Sequence, residues 1–306
     1  MKYKKKILIF GGSGLAGLNF IKLFSKKYKI LASYNLNKPK ISKFENIQFL
    51  KIDILSPYKE IKKQVKLFKP NYVFNFSAMS EVDLCEKNKK FCKKVLFEGF
   101  KKALKIAKCF DSKFVQISTD TIFDQKNIIN HENSKLDHKN YYSYLKIHCE
   151  KYLAKNYSNF IILRGRFFGY SITKKNFFEQ ILINLRKKNK IFCYDNMYST
   201  PIEISNFCKI LEILLNKKKT GIFNISSNIK ISRYTFAKQT AKIFNLDSKL
   251  IIRTKYLNKK NINKPLNSSI SNKKIKRIKE VKIMSVIQSL KKLKYEKKNS
   301  SYNSCI

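Results

Sequence analysis

Three polar residues in the middle of the chain have the types and the spacing needed for acid–base chemistry. Tyr142 and Lys146 are four residues apart, so in a helix their side chains would lie on one face. An ammonium group beside a phenol favours the phenolate, and such a tyrosine can pass a proton to a carbonyl oxygen while hydride reaches the carbon. Thr119, upstream, could donate a hydrogen bond to the same oxygen. We therefore expect Thr119, Tyr142 and Lys146 to be catalytic.

The Tyr-x-x-x-Lys spacing alone is a weak signal in this chain. It starts at six tyrosines: Tyr34, Tyr58, Tyr142, Tyr170, Tyr234 and Tyr256. With about one residue in five being Lys, roughly three such matches would arise by chance. Only Tyr142 follows five predicted strands and has a Ser-Thr pair, Ser118-Thr119, at a strand end upstream. This context selects Tyr142 and Lys146.

A glycine-rich turn near the start of the chain predicts where a dinucleotide would bind. The buried strand Ile7–Phe10 is followed by glycines three residues apart and then by an amphipathic helix, which is the first half of a dinucleotide-binding βαβ unit. Phosphates would meet the positive end of that helix and its free N–H groups. The cofactor contacts predicted from this loop are Gly11, Ser13, Gly14, Leu15 and Gly17. A signal peptide is the alternative for a basic start followed by apolar residues, but this apolar run has only four residues.

Strands and helices alternate through the first half of the chain, as in parallel α/β proteins. The predicted strands are 7–10, 29–34, 47–54, 72–76, 113–117 and 160–163, and the predicted helices are 58–68, 91–110 and 141–156. We predict a Rossmann-type doubly wound parallel sheet with a smaller C-terminal substrate lobe. Residues 1–167 and 195–227 would form the dinucleotide-binding domain, 168–194 and 228–298 the lobe, and 299–306 a flexible tail.

The end of the second predicted strand bears on the choice of cofactor. A site that prefers NAD often has an acid there, whereas this chain has Tyr34 and Asn35, with Lys38 and Lys40 following. These cations favour NADP(H), with NAD(H) as the alternative. Asp53, at the end of the third predicted strand, is either a residue of the helix N-cap region or the adenine contact that the family resemblance described below implies.

The charge of the chain is extreme but its pattern does not indicate a nucleic-acid reader. The formal net charge is +46, which on its own favours polyanion binding. Six of the 66 basic residues are Arg and the remaining 60 are Lys, spread along the whole chain. Base and phosphate readers favour Arg for its bidentate fork. We therefore expect no specific nucleic-acid partner, and a codon-usage bias explains the Lys content.

Cysteine and histidine usage predicts neither a metal site nor a secreted framework. The seven Cys residues include no C-x-x-C pair, and only three His are present, so no zinc spacing exists. We expect reduced, mostly buried thiols in a cytoplasmic protein. No apolar stretch approaches the ~18 residues of a membrane span.

Several segments together resemble the dTDP-4-dehydrorhamnose reductases and their sugar-nucleotide-binding relatives, which are extended short-chain dehydrogenases/reductases. The segments that carry the resemblance are Phe10–Gly17, Lys69–Asn75 with Val82-Asp83, Ser118–Asp124, Tyr142–Glu150, Asp195–Pro201, Gly221–Ser226, Ser232–Tyr234 and Lys264–Ile270. The last block, similar to R-P-x-N-S-x-L, is the most discriminating, because other epimerases and dehydratases of the superfamily lack it. The resemblance runs almost from end to end.

The resemblance implies a reduction of a 4-keto-6-deoxysugar nucleotide, with dTDP-4-dehydro-L-rhamnose giving dTDP-L-rhamnose as the first candidate. It implies Tyr142 as proton donor, Lys146 as its partner and Thr119 as the third catalytic group. Implied cofactor contacts are the Gly11–Gly17 loop, Asp53, Ile54, Ser77, Ala78, Ser80, Tyr142 and Lys146. Implied substrate contacts are Val82, Thr119, Asp120 and Phe167, and either Phe167 or Phe168 would stand in for a family Trp.

The chain departs from the family pattern on the substrate side. Thr121 replaces a tyrosine, Lys264 replaces an arginine, and the chain has no Trp. These changes leave the sugar open. The alternatives are a non-catalytic NAD(P)-binding regulatory subunit or a related epimerase or dehydratase. The resemblance also allows a Mg²⁺-linked homodimer, although no carboxylate cluster in the sequence indicates a metal.

Overall fold

The computed structural model describes residues 4–36, 38–39, 46–77, 81–125, 128–172, 175–257 and 263–299. These residues form two compact units. The first unit comprises the described residues of Met1–Thr119, Asn140–Arg164 and Leu214–Phe223, and the second those of Asp120–Lys139, Gly165–Ile213 and Asn224–Ile306. The units thus divide the chain at other places than the predicted domains, whose boundaries stay a prediction.

The strands of the chain are short, and most are rich in Ile, Phe, Val or Leu. Their bounds are β1 Lys6–Phe10, β2 Lys29–Tyr34, β3 Ile47–Lys51, β4 Tyr72–Asn75, β5 Lys113–Ile117, β6 Phe160–Arg164, β7 Phe167–Phe168, β8 Ile191–Tyr194, β9 Tyr198–Ser199, β10 Ile202–Glu203, β11 Gly221–Asn224, β12 Ile231–Ser232 and β13 Ile251–Thr254.

The helices follow the strands in an α/β order through the first half. Their bounds are α1 Leu15–Phe24, α2 Tyr58–Val65, α3 Val82–Lys87, α4 Lys89–Lys93, α5 Gly99–Cys109, α6 Tyr141–Asn156, α7 Phe177–Arg186, α8 Ile204–Asn216, α9 Arg233–Phe244, α10 Lys273–Lys276 and α11 Val286–Asn299. A π-helical turn, Lys94–Glu98, joins α4 to α5. The predicted single helix 91–110 is therefore three helical pieces. No helix among the described residues is both long enough and apolar enough to cross a membrane.

The first unit is built on a seven-stranded sheet with the order β11-β6-β5-β4-β1-β2-β3. All pairings from β6 through β3 are parallel. From β1 the chain adds β2 and β3 on one side and then returns to place β4 on the other side. The strand order therefore reverses between β1 and β4, which is where doubly wound sheets bind ligands. The predicted Rossmann-type sheet is confirmed.

The core of the first unit lies where the helices cover the sheet. Leu8 and Phe10 of β1, Val73 of β4 and Phe100 of α5 are at most 1 % exposed and belong to one hydrophobic cluster. Because both faces of the parallel strands are covered, the strands read as continuous apolar runs rather than as alternating ones. This burial fixes the strand ends that carry the candidate site.

The second unit has a separate hydrophobic core and only two-stranded sheets. The pairs are β10 with β7, β12 with β9, and β13 with β8. Phe178 and Leu182 of α7, Ala237 of α9 and Leu290 of α11 are buried together. The helices α7, α9 and α11 therefore hold this unit by packing their apolar faces together.

Candidate active site

The glycine loop is shaped by close backbone approaches that exclude a side chain. A Cβ built on Gly11 would lie 2.6 Å from the Ser77 nitrogen, and Gly11 has φ +78°. A Cβ on Gly17 would lie 2.6 Å from the Gly11 carbonyl oxygen, whereas one on Gly14 would meet that oxygen only at 3.3 Å. Gly11 thus permits the turn at the β1–β4 switch point, and Gly17 permits close packing of α1.

Ser33 holds the glycine loop and was missed by the sequence reasoning. Its hydroxyl accepts a hydrogen bond from the Gly11 N–H at 3.0 Å, and its carbonyl accepts one from the Gly12 N–H at 2.8 Å. Ser33 lies in β2, so the neighbouring strand fixes the turn that follows β1. A lone serine inside a predicted strand carries no motif, but its short distance from the strand end could have suggested a role.

The start of α1 fits a negatively charged group. Gly14 is its N-cap residue and provides no side-chain cap, and no acidic residue stands in the first turn. Free N–H groups and the positive end of a helix together make an anion site. Ser13, Gly14 and Leu15 are partly exposed there. The loop therefore fits the diphosphate of a dinucleotide, although the contacts of these residues stay a prediction.

The other predicted cofactor contacts occupy different environments. The Asp53 carboxylate accepts a hydrogen bond from the Leu55 N–H at 2.8 Å, so it closes the turn before α2. Ile54 is 8 % exposed and packs in the core against Gly99. Ser77 is partly buried beside Gly11, while Ala78 and Ser80 lie outside the described residues.

Tyr142 and Lys146 both lie on α6 and both are buried, at 8 % and 3 % exposed. The Lys146 ammonium donates to the Ile117 carbonyl oxygen at 3.1 Å, and its Nζ lies 5.7 Å from the centroid of the Tyr142 ring. Ile117 is the last residue of β5, two residues before Thr119. The structure therefore brings this phenol and this ammonium together near the end of β5.

Buried polar groups collect at the ends of the central strands. Ser118 and Thr119 follow β5 and are 3 % and 6 % exposed. Among the described residues, the Ser118 hydroxyl and the Asn75 amide oxygen at the end of β4 make no hydrogen bond. A buried polar atom without a partner is costly unless a ligand supplies one. This edge of the sheet thus fits a polar cofactor.

Helix α6 is positioned by contacts at its start and in its middle. Asn140 caps it by accepting the Ser143 N–H at 2.9 Å, and the Glu86 carboxylate accepts the Tyr141 N–H. Further along, Glu150 forms a fully buried ion pair with Arg164 of β6 at 2.6 Å. Glu150 ends one of the segments that carry the family resemblance, but no spacing in the sequence predicts its pairing with Arg164. This pair fixes α6 against the sheet beside the candidate catalytic residues.

A small hydrophobic cluster surrounds Tyr142 and contains a disulfide. Cys85 of α3 and Cys92 of α4 are bonded to each other and packed with Tyr142 and Leu145, and Val82 lies at the edge of the cluster. The expectation that all thiols are reduced is wrong for this pair, because the short loop between α3 and α4 brings the two sulfurs together. Elsewhere on α6, burial raises the pKa of the Cys149 thiol to about 12, so this group stays neutral.

In the second unit, Asp120 lies in a polar network rather than free at a strand end. Its carboxylate accepts two hydrogen bonds from Arg166, at 2.8 and 3.2 Å, and one from the Ser268 hydroxyl at 2.8 Å. Phe167 packs on Phe207 with 4.3 Å between ring centroids. Contacts of Val82, Thr119, Asp120 and Phe167 with a substrate stay predictions.

The discriminating block near residue 264 has a structural role in the second unit. The Asp124 carboxylate accepts the N–H groups of Leu266 and Asn267, at 2.7 and 3.1 Å. The Asn267 amide donates to the carbonyl oxygens of Gln125 and Ile128. The block therefore ties the segment after Thr119 to a part of the chain about 140 residues later. Among the described residues, no group of three His, Cys, Asp or Glu could hold a metal ion.

Solved structures of several sugar-nucleotide enzymes have the same fold. A hypothetical dTDP-4-dehydrorhamnose reductase from Sulfolobus tokodaii is 23% identical, with a TM-score of 0.80 over 92% of this chain and 98% of that one. The enzyme of that name from Bacillus anthracis, solved with NADP, is 17% identical, with a TM-score of 0.84 over 96% and 100%. A UDP-glucose 4-epimerase from Thermotoga maritima is 18% identical, with a TM-score of 0.83 over 96% and 100%. At these identities the likeness shows the fold alone.

A family model, and not these structures, shows the family of the chain. The search of curated proteins gave no match. The model described as "RmlD substrate binding domain" matches residues 5–297, almost the whole chain, and the resemblance predicted from the sequence is thereby confirmed. The chain therefore belongs to the RmlD substrate binding domain family.

Proposed function

We propose that this protein is an NADP(H)-dependent reductase of a 4-keto-6-deoxysugar nucleotide, with dTDP-4-dehydro-L-rhamnose as the first candidate substrate and dTDP-L-rhamnose as its product. The observation that carries the proposal is the buried pair of Tyr142 and Lys146 near the end of β5. The chain also belongs to the family and has a glycine loop that fits the diphosphate of a dinucleotide. The proposal includes a cytoplasmic location, and a homodimer stays a prediction.

The first unit supplies what such a reaction needs from the protein. The loop from Gly11 to Gly17 and the uncapped start of α1 would hold the cofactor diphosphate, and NADPH would supply the hydride. The partnerless oxygens of Ser118 and Asn75 are available to polar groups at the same sheet edge. The dTDP-4-dehydrorhamnose reductase from Bacillus anthracis, which has the same fold, was solved with NADP, which supports NADP(H), with NAD(H) as the alternative.

Each catalytic side chain has a role that its position supports. Tyr142 would give its phenol proton to the ketone oxygen as the carbon receives hydride. Lys146, fixed by the Ile117 carbonyl, would stabilise the phenolate that forms and hold the nicotinamide ribose. Thr119 would donate a hydrogen bond to the ketone oxygen. Burial of all three excludes water that would compete for the proton.

The test is NADPH oxidation with the purified full chain and dTDP-4-dehydro-L-rhamnose. We expect Tyr142→Phe to keep NADPH affinity and to lower kcat by about 10²- to 10⁴-fold, because the fold loses one hydroxyl and the reaction loses its acid. Lys146→Met should lower kcat and, unlike Tyr142→Phe, should also weaken NADPH binding. The matched control is Tyr144→Phe, a half-exposed tyrosine on the same helix, which should change kcat by no more than about twofold.

Two outcomes would contradict the proposal. Near-normal turnover of Tyr142→Phe would assign the proton transfer to another group. Tight NADPH binding by the unaltered chain without oxidation of NADPH by any ketosugar nucleotide would favour a regulatory subunit.

A further inference from the structure

The second unit contains an arginine at a helix start whose guanidinium makes no hydrogen bond among the described residues. Arg233 is the first residue of α9, where the positive end of the helix makes a cation unfavourable. Its guanidinium lies over the Phe177 ring, with 5.2 Å from Cζ to the centroid. Among the described residues, it makes neither a hydrogen bond nor an ion pair. The N–H groups of this guanidinium can therefore donate to a ligand.

Arg166 lies within electrostatic range of Arg233. Only part of its guanidinium makes hydrogen bonds to described residues. Its Nε and Nη2 donate to the Asp120 carboxylate, and Nη2 also donates to the Ser268 hydroxyl at 3.2 Å. No described residue accepts from Nη1. The Arg166 side chain is 29% exposed, whereas Asp120 is almost completely buried. Asp120 and Ser268 thus hold the guanidinium rigidly and leave its other edge free to donate.

The two arginines and Asp120 act on one another. Burial and the positive charge of Arg166 lower the pKa of Arg233 to about 10, so the Arg233 guanidinium is still charged at neutral pH. Two cations and one carboxylate leave one positive charge in excess, and the positive end of the α9 dipole adds to it. Two planar forks of this kind match the oxygens of a phosphate or diphosphate.

We propose that Arg166 and Arg233 bind the diphosphate group of the nucleotide substrate, and that Asp120 and Ser268 are positioning residues for Arg166. This inference rests on the proposed function, because it takes the substrate to be a sugar nucleotide. The shared chemistry is that of a diphosphate, which a nucleoside diphosphate or free inorganic diphosphate could supply. No acidic group in the first turn of α9 competes for the two cations.

The test measures binding rather than turnover, by calorimetry on the full chain. The probes are dTDP, dTMP, thymidine and inorganic diphosphate. We expect Arg233→Gln and Arg166→Gln each to weaken dTDP binding by about 10- to 100-fold, since each removes a charge-assisted contact. Thymidine binding should change by no more than about twofold, because the base and sugar do not touch these groups. Arg233→Lys should weaken dTDP binding less than Arg233→Gln does, because lysine keeps the positive charge but lacks the planar fork of arginine.

The control for charge alone is Arg277→Gln, an exposed arginine of the same unit, which should leave dTDP affinity unchanged. An equal loss for dTDP and thymidine would overturn the proposal, since it would indicate a general structural effect. Unchanged dTDP binding in both arginine variants would also overturn it. Inorganic diphosphate binding as tightly as dTDP would overturn the assignment to a nucleotide.

The outcome is separable from that of the reductase test. If dTDP binding depends on the two arginines but no ketosugar is reduced, the diphosphate site stands and the proposed reaction fails. If the ketosugar is reduced while the arginine variants bind dTDP normally, the reaction stands and this inference fails.

Discussion

At the scale of single residues, two glycines of the loop have different roles: Gly17 is needed for packing, and Gly14 is expected to be needed for binding. Gly17 has no room for a methyl group, because the Gly11 carbonyl oxygen would lie 2.6 Å away. Gly14 has an ordinary extended backbone, with φ −78° and ψ 175°, and nearly ordinary space. The two positions should therefore respond differently to the same added methyl.

We expect Gly17→Ala to lower the free energy of unfolding by about 1–3 kcal/mol, because backbone atoms must shift. Gly14→Ala should leave the Tm almost unchanged but weaken NADPH binding by about tenfold or more, since its methyl would stand where the diphosphate approaches. Thermal unfolding and fluorescence titration with NADPH measure both effects. A Gly14→Ala variant that binds NADPH like the unaltered chain would show that the phosphates do not approach Gly14.

The roles of residues that belong to a sequence motif could be predicted from the sequence. The roles of residues that depend on a contact with a distant part of the chain could not. The spacing of Tyr142 and Lys146 follows from helical geometry, and the structure places them together on α6. Ser33 and Arg166 belong to no motif, and their importance follows only from contacts with residues distant in the chain. Arg166 meets Ser268 across 102 residues of chain, a proximity that no local spacing encodes.

At the scale of elements, the start of α6 sets the position of the candidate catalytic residues. Asn140 accepts the Ser143 N–H in the first turn, two residues from Tyr142. We expect Asn140→Ala to lower the free energy of unfolding by about 0.5–2 kcal/mol, and to lower kcat more than it raises the KM for NADPH, because Tyr142 loses its fixed position. Chemical denaturation and steady-state kinetics measure these changes.

Asn140→Asp is the matched control, because an aspartate caps a helix as well as an asparagine does. It should restore both stability and kcat. A low kcat in Asn140→Asp with full stability would contradict a role through capping alone.

Elements whose ends are marked by local chemistry were predicted best. The predicted bounds of β2, β5 and α6 agree with the structure, because apolar runs and a capping asparagine define them locally. The predicted strand 47–54 ends at Lys51, since Asp53 closes a turn with Leu55. The π-helical turn before Gly99 interrupts a helix that the apolar periodicity alone predicts to be continuous.

At the scale of the whole molecule, the exposure and the pKa of the cysteine thiols depend on how each unit is packed. Cys109 is exposed, while Cys149, Cys193 and Cys208 are buried. Burial raises the pKa of the Cys193 thiol to about 11 and that of Cys208 well above its usual value. At pH 8 the buried groups are therefore protonated as well as inaccessible, and thiolate reagents should react with them slowly.

A thiol titration with Ellman's reagent tests this picture in a Cys305→Ser variant. Six of the seven cysteines then remain, and two of them are joined as Cys85–Cys92. We expect one fast thiol, Cys109, in the folded protein and four after denaturation without reductant. Reduction should raise the count to six. A count of six without reductant would contradict the disulfide.

The network around Asp120 has a consequence for the order in which the chain is made. Arg166 follows Asp120 by 46 residues, but Ser268 follows it by 148. At a translation rate of about 5–20 residues per second, roughly 7–30 s pass between synthesis of the carboxylate and of this second donor. Because Arg166 is made before Ser268, the contact of Asp120 with Arg166 can form first, and the contact with Ser268 can form only when the segment around residue 268 has left the ribosome.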